Sequence, residues 1–180
     1  MIHYAIGIDA SYAAVGWAVV KSTGQPEVLM SGALGFRKDQ RAEEKLPVIV
    51  SQVAELFRQI LAVLPDEPVQ PAMTPAAFTV AIEQSWHGKN ARVASQLAEL
   101  RGALIVVAFE FCSMVKRVTP GEWQSAAGIP RRAKRATVKK QSQHIATLRE
   151  GRTAGMSEDE ADAINIAWYA AGKIRMGRKA

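Results

Sequence analysis

With 180 residues, 48% of them hydrophobic and 22% charged, the sequence suits one soluble globular domain covering 1–180 and is too short for two domains of ordinary size. Its longest apolar run, Ala103 to Phe109, falls well short of the roughly 20 residues that cross a membrane; Asp9 interrupts the one stretch that resembles a secretion signal, and the lone Cys112 excludes an intrachain disulfide and a cysteine zinc site, so a cytoplasmic protein with no membrane partner is expected. The formal net charge of +6 is concentrated: between 116 and 140 stand Lys116, Arg117, Arg131, Arg132, Lys134, Arg135, Lys139 and Lys140 against the single acid Glu122, the footprint of a surface that meets a polyanion.

In chain order, Tyr4 to Asp9 is a short apolar run that ends in an acid. Gly16 to Val20 and Val28 to Gly35 follow as strands, with the Gly and Pro of a turn between them in 21–26. Three strands in succession with short connections predict an antiparallel meander. Leu46, Ile49, Val50, Val53, Leu56, Phe57, Ile60, Leu61 and Leu64 recur at three- and four-residue steps and predict a long amphipathic helix. Pro47 is expected near its first turn, where a missing N–H is tolerated. Pro65, Pro68, Pro71 and Pro75 punctuate a loop, and Phe78 to Ile82 reads as a buried strand running into Glu83.

Residues 90–111 predict a second long helix, with Val93, Leu97, Leu100, Leu104, Val107 and Phe111 toward the core. The small residues Ala94, Ala98 and Gly102 allow close packing, and its other face is a candidate dimer contact. Met114 to Val118 is another strand, Thr119 and Pro120 open a short helix, and the basic stretch 130–140 is a loop passing into a helix over about 137–149. The last helix begins at Ser157, which with Glu160 makes a capping-box pattern ahead of Ala161, Ile164 and Trp168. This succession of strands and helices describes a mixed α/β domain.

Four carboxylates stand where packing alone has little use for them. Asp9 and Glu83 end apolar strands, where an unpaired charge is costly. Asp159 and Asp162, three residues apart, share nearly one face of the last helix. Gathering such groups is repulsive unless divalent cations neutralise them, and oxygen donors suit Mg²⁺ or Mn²⁺ rather than Zn²⁺. Two such ions about 4 Å apart are a standard means of cleaving phosphodiesters. Each acid also has a plainer reading: Asp9 as a turn former, Asp159 as a partner of the helix dipole, Glu83 as a partner of Lys89 or Arg92. Their order, one at each of two strand ends and two on the terminal helix, favours a common site.

That order resembles the RuvC-type Holliday junction resolvases. Three segments carry the likeness: IGIDASYAAVGWAVV at 6–20, AIEQSWHGKNARVASQLAELRGALIVVAF at 81–109, and EDEADAINIAWYA at 158–170, with VKRVTPGEW at 115–123 and KKQSQHIATL at 139–148 as weaker links. The most specific is A-I-E-Q entering a K-N-x-x-x-A helix; an I-G-I-D alone is shared with many RNase H-like and actin-like proteins. Where the family commonly has D-P-G, this chain has Asp9, Ala10 and Ser11, and the Pro-rich loop and the RRAKR run at 131–135 lie outside the family pattern. A cellular or a phage-encoded member fits alike.

The resemblance implies an α/β RNase H-like fold, a central mixed five-stranded sheet flanked by helices. It implies a structure-selective DNA endonuclease that resolves four-way junctions by paired symmetric nicks, leaving 5′-phosphate and 3′-hydroxyl ends. Asp9, Glu83, Asp159 and Asp162 would be the catalytic acids and the ligands of two Mg²⁺ ions, with Mn²⁺ as a substitute. Trp86 stands where the family has an aromatic residue that stacks on a base near the junction. Lys116 and one of Lys139 and Lys140 match lysines that contact DNA phosphate, and Lys89, Arg131, Arg132, Lys134 and Arg135 complete the expected DNA-binding set. Two symmetric cuts require a homodimer, for which the helix over 90–111 is the interface candidate. The competing readings are an RNase H-like RNA-processing nuclease and a non-catalytic nucleic-acid binding protein. An actin-like ATPase would need a second lobe, and no phosphate-binding glycine loop is present.

Overall fold

The computed structural model describes residues 3–22, 25–64, 78–84, 90–112, 114–130, 132–152 and 155–177. The described elements are β1 (Tyr4–Ala10), β2 (Ala14–Lys21), β3 (Glu27–Gly35), α1 (Ala42–Val63), β4 (Phe78–Glu83), α2 (Ala91–Phe111), β5 (Met114–Val118), α3 (Pro120–Ala126), α4 (Arg135–Glu150) and α5 (Glu158–Gly177). The strands form one sheet in the order β3-β2-β1-β4-β5. β1–β2 and β2–β3 are antiparallel, whereas β1–β4 and β4–β5 are parallel. The meander and the central mixed five-stranded sheet are both present. The Pro-rich loop lies outside the described residues.

Side-chain alternation with period two sorts the strands onto two faces. Tyr4, Ile6 and Ile8 of β1, Val15 and Val19 of β2, and Phe78, Val80 and Ile82 of β4 face α1 and α2, where Ile49, Val53, Phe57, Ile60, Leu100 and Leu104 complete a core. The opposite face carries small residues instead: Ala5, Ala18 and Ala81, with Gly7 and Gly16 between them. Small residues let a helix lie directly on the strands, and α5 does so. A Cβ on Gly7 would come within 2.2 Å of the Ala163 carbonyl oxygen, and one on Gly16 within 1.9 Å of the Asp159 carbonyl oxygen. Ala161, Ala163, Ile164, Ile166, Ala167, Ala170 and Ala171 are all buried, because α3 and α4 cover the side of α5 away from the sheet. The expected stripe of Ala161, Ile164 and Trp168 is therefore too narrow; burial runs around most of the helix, and Trp168 is half-buried.

Local chemistry explains the remaining differences from expectation. The β1–β2 turn, where the family's D-P-G is missing, is closed by Ser11. Its Oγ accepts from the Ala13 and Ala14 amides and donates to the Ala14 carbonyl, a side-chain substitute for a backbone turn. α1 begins at Ala42, capped by the Arg41–Glu44 pair, so Pro47 falls in the second turn rather than the first. By length and composition α1 would pass for a membrane-crossing helix, yet its apolar stripe is spent on the core. α2 is capped by Asn90, whose Oδ1 accepts from the Arg92 and Val93 amides. Val93 is exposed rather than in the core, and Val106 and Phe109 stand out from the helix at 64% and 57% exposure. α4 starts two residues earlier than expected. At α5 the Ser157 hydroxyl accepts from the Glu160 amide at 3.1 Å, but the Glu160 side chain turns instead to Ser31 and Arg152.

Candidate active site

The sheet register assembles the site. Parallel pairing of β1 and β4 sets Ile8 against Ile82, so the next residues, Asp9 and Glu83, stand side by side at the carboxyl ends of both strands. Two steps from Gly7 and Ala81 along alternating chains, they point to the face that α5 covers. On the other side of Asp9 its partner in β2 is Gly16, the residue on which the Asp159 backbone rests. The start of α5 is thus held against Asp9 by the absence of a side chain, and Asp162 follows one turn along.

The electrostatics record the crowding. Asp9 is pushed well above the usual carboxylate range, first by burial and then by the charges of Glu83, Asp162 and Asp159. A side-chain hydrogen bond with Glu83 raises Asp9 further and lowers Glu83. Burial also raises Glu83, opposed by the Trp123 indole, whose Nε1 donates to Glu83 Oε1 at 2.8 Å, and by the field of Arg101. Asp162 is raised to about 7, chiefly by burial and against a hydrogen bond donated by the Ser142 hydroxyl. Asp159 is raised by burial and by Glu158, and lowered by Lys139. Among the described residues no Lys, Arg or His side chain makes an ion pair with any of the four.

As they stand, the described acids do not close into a group of three that could hold one ion; Glu83 is turned to Trp123, Asp162 to Ser142 and Asp9 to Glu83. The donor set nonetheless fits a hard divalent cation. It is all oxygen, it is clustered, and among the described residues no cation is ion-paired with it.

The expected basic residues divide. Lys139 pairs with Glu158 at the start of α5, beside Asp159, while its neighbour Lys140 is exposed and has no ion-pair partner among the described residues. Lys116 and Arg117 line an open groove of about 660 Å³ together with Gln84, Glu122, Tyr169 and Lys173, adjoining Glu83. Arg132, Lys134 and Arg135 are exposed at the approach to α4. Trp86, Lys89 and Arg131 lie outside the described residues. Glu83 takes Trp123 as its partner rather than Arg92, which is exposed.

Sequence reasoning missed Trp123, Ser142, Asn165 and Arg149. Ser142 and Asn165 are each 1% exposed. Asn165 Nδ2 donates to Ser142 Oγ at 2.8 Å and to its carbonyl at 3.1 Å, and Arg149 Nη1 donates to Asn165 Oδ1 at 2.6 Å. The only signal for these was an asparagine set between Ile164 and Ile166, a polar residue in an apolar run.

Comparison with known proteins agrees with this architecture. A family model described as "Crossover junction endodeoxyribonuclease RuvC" matches residues 5–169. The RuvC of Chromohalobacter salexigens is 31% identical over 163 residues, covering 90% of this chain and 77% of that protein. The RuvC of Shewanella loihica is 28% identical over 163 residues, covering 90% and 83%. Among solved structures, Thermus thermophilus RuvC superposes with a TM-score of 0.71 at 22% identity, over 97% of this chain and 96% of that one. A second structure of T. thermophilus RuvC, in complex with Holliday junction substrate, gives 0.71 at 21% identity over the same shares. The fold is RNase H-like.

Proposed function

Because the chain belongs to the RuvC family of crossover junction endodeoxyribonucleases, we propose that it resolves four-way DNA junctions, with Asp9, Glu83, Asp159 and Asp162 as catalytic acids and ligands of two Mg²⁺ ions. One observation carries the assignment: four carboxylates from β1, β4 and α5 lie close enough to act on one another, half-buried and with raised proton affinity, and none of them is in an ion pair among the described residues. Divalent ions bound there supply Lewis-acid polarisation of the scissile phosphate and neutralise its developing charge. Asp9 lies between Glu83 and the α5 acids and would share in holding the ions with them.

The chain's own groups do the rest. Trp123 and Ser142 orient Glu83 and Asp162 by donating to them. Lys139 is the active-site lysine, because its ammonium already sits at the mouth of the cluster on Glu158; a backbone phosphate would take it over. Lys116, Arg132, Lys134, Arg135 and Lys140, with Lys89 and Arg131, hold the phosphates of the junction arms, and Trp86 stacks on an unpaired base. One centre cuts one strand, so paired nicks need a homodimer. The outer face of α2 suits it: Val106 and Phe109 are exposed, and Gly102 leaves open space for a second backbone.

The test is cleavage of a labelled four-way junction with Mg²⁺, beside linear duplex, single strand and an RNA hairpin, by the wild type and Asp9→Asn. Paired symmetric nicks confined to the junction, lost in a variant that still binds it, are expected. RNA cleavage would mark an RNA-processing nuclease. Tight junction binding without cutting, in Mg²⁺ and Mn²⁺ alike, would leave a binding protein and end the catalytic assignment.

A further inference from the structure

Behind Asp162 runs a line of polar groups whose hydrogen bonds have only one possible direction. It begins at Arg149, on the same helix as Ser142 and two turns further along. A guanidinium can only donate. Burial draws its pKa down to about 10, which still leaves it charged at neutral pH. Its carbon lies 4.8 Å over the Trp168 ring, which holds it in place. Arg149 Nη1 donates to Asn165 Oδ1 at 2.6 Å, so that atom must be the amide oxygen, and the amide nitrogen must face the other way. There it donates to Ser142 Oγ at 2.8 Å and to the Ser142 carbonyl at 3.1 Å. The Ser142 hydroxyl accepts from Asn165 through one lone pair and gives its single proton to Asp162 Oδ1. Each member is tied down by the one before it: reversing either of the first two bonds would set two donors or two acceptors against each other, and the last runs from Ser142 to the ionised Asp162.

We propose that Arg149, Asn165 and Ser142 form a one-way positioning relay that commits one oxygen of Asp162 to the Ser142 hydroxyl and so presets this carboxylate for a divalent cation. The inference rests on Asp162 being a metal ligand. It assigns a task to three residues that touch neither substrate nor ion. A ligand carboxylate that is itself hydrogen-bonded gives up less orientational freedom when the ion arrives, and losing such a partner typically weakens metal affinity about 10- to 100-fold. The relay also explains why two fully buried polar residues, Ser142 and Asn165, sit where α4 packs on α5, a contact that apolar residues would otherwise make more cheaply.

The experiment is Mn²⁺ binding to the whole protein without DNA, read from the loss of the free-ion signal in electron paramagnetic resonance, with thermal melting as a check on the fold. Ser142→Ala should raise the dissociation constant roughly tenfold, whereas Ser142→Thr, which keeps the hydroxyl, should stay within about twofold of wild type. Arg149→Met, which keeps the bulk but not the donors, should weaken binding several-fold alone and add nothing in the Ser142→Ala background, since both act on the same bond. Junction binding should not change in any of them. Asp162→Asn is the control on the premise. If it binds Mn²⁺ like the wild type, the ligand assignment falls and the relay with it. If it loses affinity while Ser142→Ala does not, the relay alone is overturned. Additive losses in the double variant would equally overturn it, by making Arg149 a packing residue with an effect of its own.

Discussion

Two groups of carboxylates flank the first turn of α5, and they differ in what neutralises them. Glu150 at the end of α4 and Glu160 on α5 are bridged by one cation, Arg152, at 3.0 Å to each. Ser31 of β3 lies 2.7 Å from both, so this cluster fastens the sheet edge to two helices. Asp159, the neighbour of Glu160 in sequence, belongs to the other group with Asp9, Glu83 and Asp162, which no described cation bridges. The first cluster has its bridging cation within the chain and is structural, although Glu150 Oε2 is left buried without a hydrogen-bond partner. The second is crowded enough to raise the proton affinity of all four acids and takes hydrogen bonds from Trp123 and Ser142, a crowding that a pair of divalent ions would relieve. On the proposed assignment, neighbouring residues on one helix serve fastening and chemistry, and the difference lies in whether a described cation bridges them.

The contrast can be broken most severely at Asp9. Asp9→Asn should lower junction cleavage by roughly 10³-fold or more, an effect of the size seen when charge stabilisation is lost at a reaction centre. Junction affinity should hold in a gel-shift measurement, and loss of binding as well would point to misfolding instead. Next in size is Gly16→Ala. Its Cβ would meet the Asp159 carbonyl at 1.9 Å, so the start of α5 must move by an ångström or more. A fall of about 10² in single-turnover cleavage is expected from such a misplacement, with Mn²⁺ binding weakened in parallel.

A titration sharpens the comparison further. The folded values of the four acids lie above those of an unfolded chain, so folding takes up protons. The stability that follows is fully present below about pH 4, the ordinary carboxylate range, and is lost as the pH rises through the folded values, that of Asp162 being about 7. The metal-free protein should therefore melt at a lower temperature at pH 8 than at pH 5, and Mg²⁺ should restore the loss at pH 8 while doing little at pH 5. The smallest effect belongs to the closed cluster. Arg152→Met should cost about 1–2 kcal/mol in denaturant unfolding, a partly exposed cation facing a buried carboxylate. That loss should be indifferent to Mg²⁺, and cleavage should remain within about twofold of wild type, since cation and site are energetically separate.

The sequence displayed some of this and hid the rest for identifiable reasons. A charge at the end of an apolar strand is visible without a structure, so Asp9 and Glu83 stood out, and the strands carrying them follow from alternation. Asp159 and Asp162 were visible as a pair on one helical face. The groups that hold them were not, because a hydrogen-bond partner from another helix leaves no period in the sequence. Trp123 read as part of a short helix, and Ser142 and Arg149 as ordinary members of a basic one. Lys139 and Lys140 sit about 100° apart around α4, so only the docking of α4 on α5 distinguishes them. An apolar stripe likewise does not say which side of a helix meets the core, and Val93 and Phe109 of α2 fall on the solvent side.

The close fit of Gly7 and Gly16 beneath α5 also sets an order of assembly. β1, β2 and β3 are neighbours in the chain, and their hairpins can form by closing small loops. β1 then needs β4 from far along the chain, and α5 from farther still, each at the cost of closing a longer loop. The early meander carries only Asp9. Glu83 arrives with β4, and Asp159 and Asp162 only when α5 seats on the two glycines. On the proposed assignment the cutting centre would be complete only once α5 seats, so a molecule whose α5 is unseated is expected to hold DNA through its basic residues without cutting it.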